Sequence, residues 1–142
     1  MRSSRSPRIL YIDNNQESGE LIAVLRHAEN HPYRVSTAST SVEALELIAS
    51  EPFDLLILEH QLPEMSGVEL CRRLRQTDKQ TPILFCAGRN RLAEGEVSIA
   101  AGATEYLVAP VSAEHLIETV RRLLNEYHAA KTKNQAGCCL AK

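Results

Sequence analysis

The sequence predicts a doubly wound α/β fold: one parallel sheet of five strands in the order 2-1-3-4-5, with five helices on its two faces. Short apolar runs alternate five times with segments of helical period, the pattern of repeated strand-helix units. The run from Phe53 to Leu58 is nearly all apolar, as a central strand covered on both faces must be. Thr40-Ser-Val-Glu43 and Ser66-Gly-Val-Glu69 have the form of capping boxes, so two helix starts are marked independently of hydrophobicity. Right-handed crossovers between parallel strands then favour the stated order.

Arg8 to Ile12 reads as the first strand, and Glu17 to Glu29 as the first helix, with Leu21, Ile22, Val24, Leu25 and Ala28 on one face. Tyr33 to Ala38 alternates as a shorter edge strand. The helix after Thr40 runs through Ala44, Leu45, Leu47 and Ile48 and is closed by Pro52. Phe53 to Leu58 is the third strand, and the helix after Ser66 extends through Leu74. Pro82 to Cys86 forms the fourth strand. Asn90 to Ala101 reads as the weakest helix, because Gly95 interrupts it and it has few large apolar residues. Thr104 to Val108 is the fifth strand; Ser112 caps the last helix, whose packed face is Leu116, Ile117, Val120, Leu123 and Leu124.

A chain of 142 residues with 44% apolar content fits one domain. Its expected extent is 8–127, preceded by a flexible end over 1–7 and followed by a flexible tail or linker over 128–142. A net charge of -2 leaves no basic field for nucleic acid, and Arg2, Arg5 and Arg8 read as a solvated end. No run approaches the ~20 apolar residues of a membrane span, and the first residues lack a signal peptide's apolar stretch, so a cytoplasmic location is expected. Cys71, Cys86, Cys138 and Cys139 have neither zinc spacing nor a disulfide framework. The first two read as buried small hydrophobes, and the last two lie in a polar tail open to oxidation.

In such a sheet the functional groups gather at the carboxyl ends of the strands. Asp13, Asn14, Glu59, Ala87 and Ala109 converge there. Three further motifs stand in order: Leu62-Pro-Glu-Met-Ser-Gly67, Thr81-Pro-Ile-Leu-Phe85, and Ala101-Gly-Ala-Thr-Glu-Tyr106-Leu with Pro110. Together they make the chain, over about residues 8 to 127, resemble a response-regulator receiver domain of two-component signalling, in a degenerate or pseudo-receiver form. The resemblance implies a flavodoxin-like fold.

It also implies a role for each position. The phosphoacceptor aspartate is replaced by Glu59, and the Mg²⁺-holding acidic pair by Asp13 and Asn14. The hydroxyl residue after strand four becomes Ala87, and the lysine after strand five becomes Ala109. Pro110 remains, with the cis bond that the family usually has before it. An amide is a poorer magnesium ligand than a carboxylate. One extra methylene displaces the acceptor, and an error near 1 Å costs about 100-fold when catalysis rests on positioning. The family's three carboxylates and lysine carry the same net charge as Asp13 with Glu59, so the cleft stays acidic. Weak Mg²⁺ binding at Asp13 and Glu59, or an ion pair from Arg89 or Arg91 to Glu59, would relieve the repulsion.

Each residue has a plainer reading as well. Asp13 can cap the first helix, Glu59 can be a solvated acid at a strand end, and Tyr106, at the family's aromatic switch, can simply pack. His60 is an ordinary loop histidine. The expected function is a receiver-like signalling module without catalytic residues or a required cofactor, working by protein contacts with a sensor kinase or an output protein. The face of helix four, strand five and helix five could also join two copies. The alternatives are a receiver that is phosphorylated at Glu59 or mimics the phosphorylated state through it, and, remotely, a flavodoxin-like flavin or nucleotide binder. The loop Asp13 to Ser18 lacks the glycines a phosphate cradle needs.

Overall fold

A computed structural model describes residues 6–13, 19–27, 33–59, 62, 65–87, 95–108 and 111–140. Strand and helix alternate throughout: β1 (Arg8–Ile12), α1 (Gly19–Arg26), β2 (Arg34–Ala38), α2 (Ser41–Ser50), β3 (Leu55–Leu58), α3 (Gly67–Thr77), β4 (Ile83–Ala87), α4 (Gly95–Ala101), β5 (Glu105–Val108) and α5 (Ala113–Leu140). The five strands form one parallel sheet in the order β2-β1-β3-β4-β5, as the sequence predicts.

The period of two along the strands divides the core. Leu10, Ile12, Leu56, Leu58, Ile83 and Phe85 pack with residues of α2, α3 and α4. Ile9, Tyr11, Leu55, Ile57, Leu84, Cys86 and Leu107 pack with Leu25 of α1 and Leu116, Val120, Leu123 and Leu124 of α5. All four residues of β3 are buried, which is why its sequence is continuously apolar rather than alternating.

Both capping boxes begin helices, but neither closes as the motif suggests. Thr40 Oγ1 accepts the Glu43 amide at 3.0 Å, while the Glu43 carboxylate accepts from Ser39 N, one residue outside the cap. Ser66 Oγ accepts the Glu69 amide at 3.1 Å, and the Glu69 carboxylate turns to Arg73 and Arg72 on its own helix. Ser112 Oγ accepts from His115 N at 3.0 Å, so the last helix is capped where expected.

Two expectations are not met, at Arg8 and at the end of α5. Arg8 is no solvated end: its side chain pairs with Glu51 and lies over the Phe53 ring, 5.5 Å from the centroid. Its backbone N–H donates to Asp54 Oδ2 and its C=O accepts from Asp54 N, both at 2.8 Å. The fourth helix is described from Gly95 to Ala101, and the expected stretch from Asn90 to Glu94 lies outside the described residues. The backbone of α5 is helical to Leu140, whereas an irregular tail was expected from residue 128. Ala129, Ala130, Lys131, Lys133, Gln135 and Ala136 are good helix formers, and they only have to extend a helix already nucleated on the core. His128 to Lys131 are exposed, so this continuation leaves the core rather than adding to it. No helix among the described residues is long and apolar enough to cross a membrane.

Candidate functional site

The β1–β3 register pairs Ile12 with Leu58, and the β3–β4 register pairs Leu58 with Phe85. One residue further on, Asp13, Glu59 and Cys86 follow side by side. Backbone bonds hold the first two: Asp13 N donates to Ala38 O at 2.9 Å and Glu59 N donates to Ile12 O at 3.0 Å. By strand alternation all three are in phase with Tyr11, Ile57 and Leu84, on the side of the sheet covered by α1 and α5. Asp13 and Glu59 are half-buried, and Cys86 is only 6% exposed.

Cys86 reports the electrostatics of this cleft. Burial, first, and then the charge of Glu59 push its thiol up to about 12; Asp13 adds to the rise, and the nearby Tyr11 hydroxyl opposes it. A thiolate beside two carboxylates in a dry place is disfavoured, so Cys86 stays protonated at neutral pH. The sequence had offered Cys86 only as a small core residue. Counting register from the three central strands would have placed it beside Glu59.

The loop after β3 is pinned by a glycine. A Cβ on Gly67 would overlap the carbonyl oxygen of Glu59 and lie 3.0 Å from Phe85 Cε2. The start of α3 therefore presses directly on the backbone of the acidic residue. Phe85 passes the contact along, since its ring centroid lies 6.2 Å from that of Tyr106 at a tilt of 47°. Tyr106 in turn lies against Gly95, where a Cβ would stand 3.1 Å from Tyr106 Cδ2. Half-buried Tyr106 is thus a packed aromatic bridging β4, β5 and α4.

Of the residues singled out in the sequence, the structure brings Asp13 and Glu59 together and ends β4 at Ala87, which pairs with Val108 of β5. Asn14, His60, Arg89, Arg91, Ala109 and Pro110 lie outside the described residues, as do the side chains of Cys138 and Cys139. Asp13 and Glu59 are hard oxygen donors of the kind Mg²⁺ takes. Among the described residues no group of three or more His, Cys, Asp or Glu is placed to hold a metal.

A family model described as the response regulator receiver domain matches residues 9–121. The response regulator MprA of Mycobacterium ulcerans is 38% identical over 119 residues, which are 84% of this chain and 50% of that protein. The chain thus spans about half the length of the curated relatives it matches. The solved response regulator receiver domain protein (CheY-like) from Methanospirillum hungatei superposes with a TM-score of 0.79 at 27% identity, covering 89% of this chain and 99% of that one. The chemotaxis response regulator CheY4 of Vibrio cholerae gives 0.75 at 29% identity, covering 84% and 99%.

Proposed function

Because this chain belongs to the response-regulator receiver-domain family of two-component signalling, we propose that it serves there through protein contacts, without carrying a phosphoryl group on an aspartate. One observation carries the reading: the residue that leaves β3 beside Asp13 is Glu59, held there by its backbone bond to Ile12. A glutamate carboxylate reaches further than an aspartate's from the same backbone position. In-line phosphoryl transfer tolerates such displacement poorly. Alanine at 87 and 109 supplies neither the hydroxyl nor the ammonium that would stabilise a transferred phosphoryl group.

In this reading the chain is not an enzyme and needs no cofactor; Mg²⁺, where present, is held weakly by Asp13 and Glu59. What the module offers partners is surface. Val97 and Ile99 on α4 are each 48% exposed, next to the element that holds Tyr106, and this supports contact with a kinase, an output protein or a second copy through α4, β5 and α5. A cytoplasmic location belongs to the same proposal.

Intact-mass measurement after incubation with acetyl phosphate and Mg²⁺ tests it. The wild-type chain is expected to show no phosphoryl adduct. A stable adduct mapped to Glu59 would overturn the proposal and favour a receiver that has changed its acceptor.

A further inference from the structure

A groove of about 290 Å³ lies at the end of the sheet opposite Asp13 and Glu59, between the turn leading from α3 to β4 and the far half of α5. Its apolar surface comes from Pro82 and Leu123, both buried, and from Tyr127 and Ala130. Two exposed lysines edge it, Lys79 on the turn and Lys131 on the helix. Lys79 Nζ donates to Arg75 O at 2.9 Å, and Lys131 Nζ lies 5.2 Å from the Tyr127 ring centroid. Among the described residues neither lysine is within ion-pair distance of a carboxylate. Glu126 also borders the groove, but it faces Arg122 at 3.9 Å on its own helix. Among the described residues the groove thus carries two lysines against one glutamate, a net positive edge on a chain whose net charge is -2.

We propose that this groove docks an acidic protein segment, an apolar side chain flanked by carboxylates, with the apolar group on Leu123 and Tyr127 and the carboxylates at Lys79 and Lys131. Length sets the form of the occupant. From Leu123 to Lys131 the helix rises about 12 Å, which spans about four residues of extended chain. The volume is at the lower edge of small-molecule sites and suits a few side chains better than a cofactor. The chain's own first residues carry Arg2 and Arg5, so their charge has the same sign as the groove's edge. A nucleic-acid backbone fits less well, because two lysines make a short site, Glu126 adjoins it, and its surface between them is apolar. The far wall is the part of α5 that continues beyond the core, where His128 Nε2 lies 3.8 Å from Asp54 Oδ1. The proposal is independent of phosphotransfer, since the groove and the acidic cleft lie at opposite ends of the strands.

The test is to pan a random peptide phage library on the full chain and titrate the most enriched peptide, at low salt, into isotope-labelled protein. Expected are sequences combining Asp or Glu with Leu or Phe, with amide shifts centred on Lys79, Gln80, Thr104, Tyr127 and Lys131. Affinity should fall at least tenfold in Lys79→Glu/Lys131→Glu and by less in the neutral Lys79→Gln/Lys131→Gln, while Arg34→Glu on the opposite sheet edge binds normally. Both lysines are exposed, and circular dichroism checks that the variants fold. Failure to enrich acidic peptides, shifts centred elsewhere, or binding indifferent to charge reversal would overturn the proposal. So would a single-stranded DNA oligonucleotide that shifts the same amides with equal affinity, since the groove would then be a general polyanion site.

Discussion

The carbonyl oxygen of Glu59 rests against the α-carbon of Gly67, with no room between them for a methyl group. The end of β3 and the start of α3 are thereby locked together, and the acidic residue is positioned by backbone contact. Gly67→Ala is expected to destabilise the fold by about 1–3 kcal/mol, the usual cost of overpacking, because the opposing atom is backbone and cannot swing away. Gly95→Ala, which meets only the edge of the Tyr106 ring, should cost less. Urea denaturation of the two variants checks the order.

Arg75 ties α3 to the α4–β5 connection. Its Nε donates to Gly102 O at 2.9 Å and its Nη1 to Asp78 O at 3.0 Å, while Gly102 itself sits at φ 120°, where a side chain would strain the backbone and strike the Arg75 stem. Arg75→Ala should lower stability by about 1–3 kcal/mol by leaving part-buried carbonyls without donors. The same denaturation experiment reads it out.

Asp78 makes the fold acid-sensitive. Burial pushes its carboxyl up, but the hydrogen bonds from Thr81 Oγ1, Gln80 N and Thr81 N and the Arg75 charge together outweigh it, and the net pKa lies below 3.8. A depressed carboxyl pKa contributes stability that is present above the unfolded value and lost as pH falls through the folded one. Asp78→Asn should therefore be less stable than wild type at neutral pH, and the difference should shrink as pH falls below 3.8. Denaturation midpoints across that range would show no convergence if the argument were wrong.

Cys86 governs the alkaline side. Burial, then Glu59, lift its thiol from 9.0 to about 12, so its contribution is present below 9.0 and is lost as pH rises towards about 12. Tyr33, raised by burial against the opposing effect of Arg121, and Cys71, raised by burial, add to the same alkaline loss. Cys86→Ala should flatten part of that limb. In the native chain at neutral pH, Cys86 should resist iodoacetamide, and it should react once urea unfolds the protein; peptide mapping distinguishes it from the other cysteines.

If the cleft is a receiver site taken apart at several positions, restoring one is insufficient. Glu59→Asp alone should gain little or no phosphoryl adduct from acetyl phosphate, whereas Asn14→Asp/Glu59→Asp/Ala87→Thr/Ala109→Lys should gain a stable one. Equal labelling of the two would mean that the acceptor alone limits the chemistry.

Much of this was legible along the chain. Helix starts at Thr40, Ser66 and Ser112 are local events between residues three apart, and the unbroken apolar run of β3 states that both its faces are covered. The neighbourhood of Asp13 and Glu59 followed as well, because both leave strands that the crossover rules set side by side. The place of Arg8 was missed, since its partners Glu51 and Phe53 are far away in sequence. So was the continuation of α5, where polar composition argued for a tail although the residues themselves favour helix.

By itself, then, the sequence determined the elements, their order and the placing of Asp13 and Glu59 at neighbouring strand ends, because these rest on periodicity, caps and residue identity within a few positions of one another. Only the tertiary structure decided that Cys86 is buried within reach of the charges of Glu59 and Asp13, that Gly67 bears on Glu59, and that Lys79 and Lys131 edge one groove. Those relations depend on strand register and helix packing, and residues brought together across tens of positions leave no local pattern.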